Sequence, residues 1–260
     1  MRIGTVRGLR RVFVGALVIF VCAGISLSIG GEMSDSEDTG KNLLQNGGFE
    51  EWVDKKEKVA EYVWTGPPRK PTVAVQVKPE GQWPMFWVPG CSAYEKDVPL
   101  TGIIVRDEET VHSGQYSLRI ESDQVTNITH IDYSPHFFKG GDVFKIKANR
   151  RYRLSWWVKG KDVEPGPDGP GQTVASFYIR KEGEEKQRVY NKWSSQVNKA
   201  PTGDFDWQHQ SVEFTTNEVA PGQTEMEMTF SLQLRRAKGT VWYDDVELVD
   251  LGPVVKVETF

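Results

Sequence analysis

The stretch Gly239-Thr-Val-Trp-Tyr-Asp-Asp-Val-Glu-Leu-Val249 decides the fold class. Trp242, Asp244, Val246 and Leu248 share one parity, so strand alternation predicts that they point to one side and carry a carboxylate inward among apolar neighbours. A buried lone aspartate is costly unless it is paired, hydrogen-bonded or bound to a cation. Near the other end, Asn42-Leu-Leu-Gln-Asn-Gly-Gly-Phe-Glu-Glu-Trp52 supplies Glu50 after a Gly-Gly turn. The two segments together predict an antiparallel β-sandwich whose terminal strands meet, with calcium as a candidate ion between them.

Residues 1–30 differ in kind from the rest. Arg2, Arg7, Arg10 and Arg11 precede an almost wholly apolar run from Val12 to Ile25, and Ser26-Leu-Ser28 follows with small residues. This pattern reads as a secretory signal peptide, which predicts a secreted or cell-surface protein. An uncleaved membrane anchor is the alternative, since the run approaches the length of a spanning helix. Lipidation at Cys22 is disfavoured by Val21 before it. Four of the 32 basic residues and none of the 36 acidic ones fall in this segment, leaving 28 against 36 and a net charge of −8. That balance argues against nucleic acid and anionic membranes as partners. Beyond residue 30 only Cys91 remains, so a core or a metal, not an internal disulfide, must stabilise the fold.

Residues 31–41 are acidic, serine-bearing and free of aromatics, as in a solvated linker. Period-2 or β-rich patterning then predicts strands over 115–121, 127–133, 151–159, 174–180, 209–215, 224–234 and 240–249, with 72–77 and 103–106 in a less regular segment. No amphipathic helix is evident. The domain is expected over 42–251, with 252–260 as a tail. Within 52–109, Trp64, Trp83, Phe86, Trp87 and Tyr94 lie among prolines; they either pack a long loop onto the sandwich or line a ligand groove.

Parity separates a second, polar face. Tyr152, Leu154, Trp156 and Val158 alternate with Arg153, Ser155, Trp157 and Lys159, so Trp157 is a large ring among polar groups. Tyr178 and Arg180 oppose Phe177 and Ile179, and Glu227 and Gln233 oppose the Met226–Leu234 core set. An indole or phenol beside hydrogen-bonding side chains suits a sugar, whose C–H face stacks while its hydroxyls need donors and acceptors. The alternative places Trp157 in the core beneath the 52–109 segment.

The succession Asn42-Leu-Leu-x-Asn-Gly-x-Phe-Glu50, His112-Ser-Gly-x-x-Ser-Leu-Arg119, Tyr152-x-Leu-Ser-x-Trp-Val-Lys159, Trp207 with Val212-x-Phe214, and Trp242-Tyr-Asp-Asp-Val-x-Leu248 resembles the family 4/9/22-type carbohydrate-binding modules. These are galactose-binding-like jelly rolls appended to secreted bacterial glycanases. The resemblance implies a structural calcium held by Glu50 and Asp244, with backbone carbonyls near Gly47 and at Ser113 to Gly114 completing the shell. It also implies a polysaccharide or oligosaccharide on a concave sheet face, with Trp157 and Tyr178 stacking and Arg153, Arg180, Gln233 and Glu227 hydrogen-bonding. Asp245 is expected to face out.

Catalysis finds little support. There is no nucleophile elbow, phosphate loop or His-Glu-x-x-His, and His112, His130, His136 and His209 have no metal spacing. Glu225 and Glu227 share a face but have no opposing acid placed by sequence. A noncatalytic sugar-binding domain is therefore expected, with a structural or adhesion jelly roll as the alternative and a glycoside hydrolase behind both.

Overall fold

A computed structural model describes residues 39–54, 76–93, 101–166, 172–180, 188–189, 201–217, 222 and 224–254. Contacts divide the chain into Met1–Ser34 and Asp35–Phe260, and all that follows concerns the second unit. The expected export signal, Trp64, Tyr94 and most of the linker lie outside the described residues.

The strands are β1 (Trp52–Asp54), β2 (Gln76–Lys78), β3 (Gln82–Pro84), β4 (Trp87–Ala93), β5 (Ile103–Asp107), β6 (Ser117–Ser122), β7 (Asn127–Tyr133), β8 (Lys145–Lys147), β9 (Arg150–Pro165), β10 (Gln172–Arg180), β11 (Arg188–Val189), β12 (Gly203–Thr215), β13 (Glu225–Arg235) and β14 (Ala237–Pro253). One sheet, here called the clamp sheet, has the order β12-β9-β14-β6-β5-β2. The other, the opposing sheet, runs β11-β10-β13-β7-β4, with β8 also pairing β13. β1 and β3 form a separate two-stranded ribbon. Pairing is antiparallel except between β2 and β5.

One hydrophobic core lies between the two large sheets. The clamp sheet contributes Tyr152, Leu154, Trp156 and Val158 on the expected parity, with Ile104, Leu118, Ile120 and Phe214. The opposing sheet contributes the alternating Met226, Met228, Phe230, Leu232 and Leu234, and Trp87 packs against Phe49, Tyr133 and Phe230 with ring centroids 5.0–5.4 Å apart. Phe86 and Trp87 are buried and Trp83 packs against the core, so these rings of the irregular segment serve packing. The Tyr243 hydroxyl donates to the Gln233 carbonyl at 2.7 Å, tying one sheet to the other.

The parity expected for β14 does not hold along its length. Val241 and Tyr243 belong to the core, and so do Val246 and Leu248. The change of phase occurs at a β-bulge between the pairs Asp244↔Trp157 and Glu247↔Ser155, where Asp245 and Val246 stand opposite Trp156 alone. Asp245 takes the left-handed conformation that such a bulge needs, at φ 46°. Trp242 and Asp244 therefore face away from the core, and Asp244 is buried beneath the loop that leads into β6.

The N-terminal segment is tied to this last strand. Thr39 bridges Asp250 and Asn42 bridges Val249, so pairing begins ahead of Asn42.

Candidate functional site

Two places gather the expected residues. The first is the junction of the chain's ends. The Asn42 carboxamide oxygen accepts the amides of Leu44 and Leu248 at 3.0 Å each, and its nitrogen donates to the Val246 carbonyl at 3.2 Å. Asn46 pins the following turn, donating to the carbonyls of Glu51 and Met85 at 2.9 and 3.0 Å. Gly47 is required by close approach, since a Cβ there would lie 2.1 Å from the Val246 carbonyl oxygen. Asparagine and glycine in this motif thus serve backbone joinery.

Both expected acids are at this junction, each with amide partners. Glu50 accepts from Gln115 at 3.0 and 3.1 Å and from Tyr116 at 3.2 Å. Asp244 accepts from His112 at 2.9 Å, Ser113 at 3.2 Å and Asp245 at 2.8 Å. Burial pushes its pKa up to about 6; the amides of His112, Ser113 and Asp245 partly offset that, and the neighbouring Asp245 charge adds to it. Asp245, expected to face out, lies outside the core and partly exposed, and binds His112 Nδ1 at 2.6 Å and the Ser113 hydroxyl at 2.7 Å. A Cβ on Gly48 would stand 3.7–3.9 Å from atoms of Asp244, Asp245 and Glu50, in ordinary contact with all three acids, so the turn lies where they converge. Among the described residues no cluster of three or more His, Cys, Asp or Glu side chains is placed to hold a metal. The Gly47 carbonyl accepts the Val246 amide at 3.0 Å.

The expected ligand set divides between the sheets. Trp157 and Arg153 lie on β9, in the clamp sheet, whereas Tyr178 and Arg180 lie on β10 and Glu227 and Gln233 on β13, in the opposing sheet. Trp157 and Tyr178 therefore stand on strands of different sheets. Parity within a strand does not reveal which strands are neighbours. Trp157 is partly exposed and stacks on His112, with centroids 3.9 Å apart and planes at 18°.

Of the other four, Glu227 and Gln233 alternate with the core residues of β13 and lie on the outer face of the opposing sheet. Arg180 pairs with Glu227, which pairs with Lys145; Val174, Gln233, His130 and Gly90 form a cross-strand row, and Ser176, Ser231, Asp132 and Val88 form the next. Sequence reasoning found no metal spacing for His130 and did not single out Asp132 or Ser231; their shared parity in 127–133 and 225–235 was the available signal. The Ser231 hydroxyl donates to Asp132 Oδ1, and His130 Nε2 lies 3.7 Å from Asp132 Oδ2. His130 Nδ1 donates to the Ile128 carbonyl at 3.3 Å. The imidazole can lie across β4 only because residue 90 is glycine, where a Cβ would meet Nε2 at 2.4 Å.

Although they point away from the core, Ser231 and Gln233 are only 4% and 7% exposed. Together with His130 and Asp132 they set a carboxylate, an imidazole, a carboxamide and a hydroxyl side by side on neighbouring strands. This set can hydrogen-bond a hydroxylated ligand. It is not a nucleophile site, because the serine proton goes to the carboxylate and the imidazole lies at the other carboxylate oxygen, with no base between serine and aspartate.

No family model matches the chain, and no curated protein matches it. Solved structures similar to it include a cyclase from Fischerella sp. TAU, at 15% identity over 82% of this chain and 98% of that one, with a TM-score of 0.41. The CBM22-1 xylan-binding domain of Paenibacillus barcinonensis Xyn10C matches at 13% identity over 64% of this chain and 86% of that one, with a TM-score of 0.36. The enzymatically active domain of bacteriophage CBA120 tailspike protein 4 matches at 14% identity over 64% of this chain, with a TM-score of 0.40; the match spans 19% of the tailspike chain. Likenesses at this level carry no argument about activity, and the architecture rests on the sheets themselves: the chain is an all-β, predominantly antiparallel sandwich.

Proposed function

We propose that this protein is a noncatalytic carbohydrate-binding domain whose ligand lies across the outer face of β4, β7, β13 and β10. The polar cluster of His130, Asp132, Ser231 and Gln233 carries the reading, because it presents donors and acceptors at the spacing of successive strands to a ligand rich in hydroxyls. Residues 1–30 act as an export signal in this reading, supported by their basic start and apolar run.

The chain is to be tested against a panel of insoluble polysaccharides by pull-down and against a glycan array. Retention of at least one polysaccharide is expected, with loss in the double variant His130→Ala/Gln233→Ala at unchanged melting temperature. Failure of the wild type to bind any glycan sinks the proposal and leaves a structural or adhesive role. Release of reducing sugar from the same panel would overturn the noncatalytic part.

The reading includes a structural calcium at the junction of the ends. Glu50 and Asp244 would hold it, with carbonyls near Gly47 and Ser113 completing an oxygen shell. Support comes from the convergence of Asp244, Asp245 and Glu50 about Gly48 and from a fully buried Asp244 carboxyl that no lysine or arginine pairs among the described residues. A bound divalent cation supplies the positive charge that makes burial of that carboxylate favourable.

A further inference from the structure

His130 and Asp132 are two residues apart on β7 and share the parity that faces away from the core. Their side chains are 20% and 34% exposed, which leaves both within reach of a ligand.

Each is oriented by a neighbour. The Ser231 hydroxyl donates to Asp132 Oδ1, so Oδ2 is the oxygen left beside the imidazole. His130 Nδ1 meets the Ile128 carbonyl at 3.3 Å; a carbonyl only accepts, so Nδ1 carries the ring proton and Nε2 of the neutral imidazole presents a lone pair. Residue 90 admits the ring tip because it is glycine, a Cβ there standing 2.4 Å from Nε2.

Nε2 and Oδ2 are thus two acceptors 3.7 Å apart, a separation beyond hydrogen-bond range even with a proton on Nε2. Among the described residues no donor reaches either atom. One donor atom set beside the gap can lie at about 2.9 Å from both, an ordinary hydrogen-bond length. To satisfy both it must bring two protons.

That requirement sorts saccharides by a substituent. A ligand group displaces solvent and gains only if it remakes the bonds that solvent makes, and water brings two protons on one atom. A sugar hydroxyl brings one, as does the N–H of an N-acetyl group; a primary amine brings two, and three as an ammonium. Charge favours the same group. Among the described residues no lysine or arginine pairs with Asp132, and Arg235, on the outer parity of β13, stands opposite Ile128, four positions along β7. The net negative charge of the chain beyond residue 30 also favours a cation and disfavours uronates and sulfated sugars.

We propose that the opposing-sheet face selects amino sugars, seating an unacetylated primary amine between Asp132 Oδ2 and His130 Nε2. The inference rests on the saccharide reading above and narrows it from polysaccharides in general to those bearing free amines.

The test is isothermal titration of the full chain at neutral pH with tetrasaccharides that share one backbone and differ only at C2, which carries a hydroxyl, a free amine or an N-acetyl group, in gluco and galacto series. In one series the amine form should bind at least about tenfold tighter than the other two, the worth of one hydrogen bond to a charged group. Asp132→Asn keeps an oxygen for Ser231 and offers His130 a donor, so it should erase the preference at unchanged melting temperature. Should Asp132→Asn fail to fold, His130→Ala, which removes the other acceptor, decides in its place. Glu213→Gln, an exposed acid on β12 of the other sheet, should leave the preference intact and so separates local pairing from net charge. The proposal is overturned if the amine form binds no tighter in either series, if the deciding variant keeps the preference, or if Glu213→Gln loses it equally. Trilysine binding as tightly as the amino-saccharide would overturn the saccharide assignment. Retention of a neutral polysaccharide without any amine preference removes this inference and leaves the function proposed above standing, whereas retention of no glycan removes both.

Discussion

Arg150 and Asp250 form an ion pair with each residue only 3% exposed, the guanidinium Nε meeting both carboxylate oxygens at 3.0 and 2.9 Å. Neither residue stands out in the sequence, because they are a hundred positions apart and each sits at a strand end. Removing one partner strands a buried charge, so Asp250→Ala is expected to cost about 3–5 kcal/mol in urea unfolding, and Arg150→Met/Asp250→Leu considerably less. Asp107 behaves differently. Burial acts to raise its pKa, but the Trp242 indole N–H, the amides of Thr110 and Glu109 and the Arg119 guanidinium outweigh it and hold the carboxyl's pKa below its usual range. A carboxyl lowered in the folded state contributes stability above its ordinary value and loses it as pH falls through the lowered one. Urea unfolding from about pH 5 to about pH 2 should therefore show a steeper loss in the wild type than in Asp107→Asn. Equal slopes would remove Asp107 from the acid response. Asp244 was legible as a buried acid from sequence; its direction was not, because one left-handed residue reverses the phase and nothing in Tyr-Asp-Asp-Val announces which aspartate takes it.

At the level of elements, strands with unbroken alternation were legible, and β7 has the bounds that its pattern predicts. β9 and β14 extend further than expected, to Pro165 and from Ala237 to Pro253, because register shifts near Lys238 and Asp250 interrupt period-2 reading without ending the ladder. The short β1, β3 and β8 are too brief to establish a period, and Pro89 within β4 hid it. The site suffered from a different gap. Four of the six expected ligand residues lie on one sheet, but the membership of Trp157 is set by the neighbours of β9, which no local pattern encodes. The Gly47-Gly48 turn offers a paired test. Gly47→Ala forces a Cβ into the Val246 backbone and should cost about 1–3 kcal/mol or more. Gly48→Ala meets only ordinary contacts, and a thermal melt should place it near the wild type in chelator. A Gly47→Ala protein as stable as the wild type would mean that β14 does not approach the turn as described.

For the molecule as a whole, the calcium proposal makes a global prediction. An ion bound only by the folded state stabilises it by mass action, so the melting temperature should rise with calcium and fall in EDTA, and Glu50→Gln should abolish the difference. A melting temperature indifferent to both reagents would leave the acids satisfied by their amide partners alone. The two-sheet architecture was legible as a class from alternation, scarcity of cysteine and turn-rich spacing, whereas the strand order was not. That order has a consequence in time. β14, the last strand of the domain, lies between β9 and β6 and also receives Asn42 from the other end of the chain, through hydrogen bonds spanning 204 and 206 positions. Contacts of such range form late and slow a fold's acquisition. A chain emerging from synthesis must hold β9 and β6 apart, and keep its opening motif waiting, until its final segment arrives to be the middle of the sheet; a product cut short before Ala237 would lack a centre as well as an end.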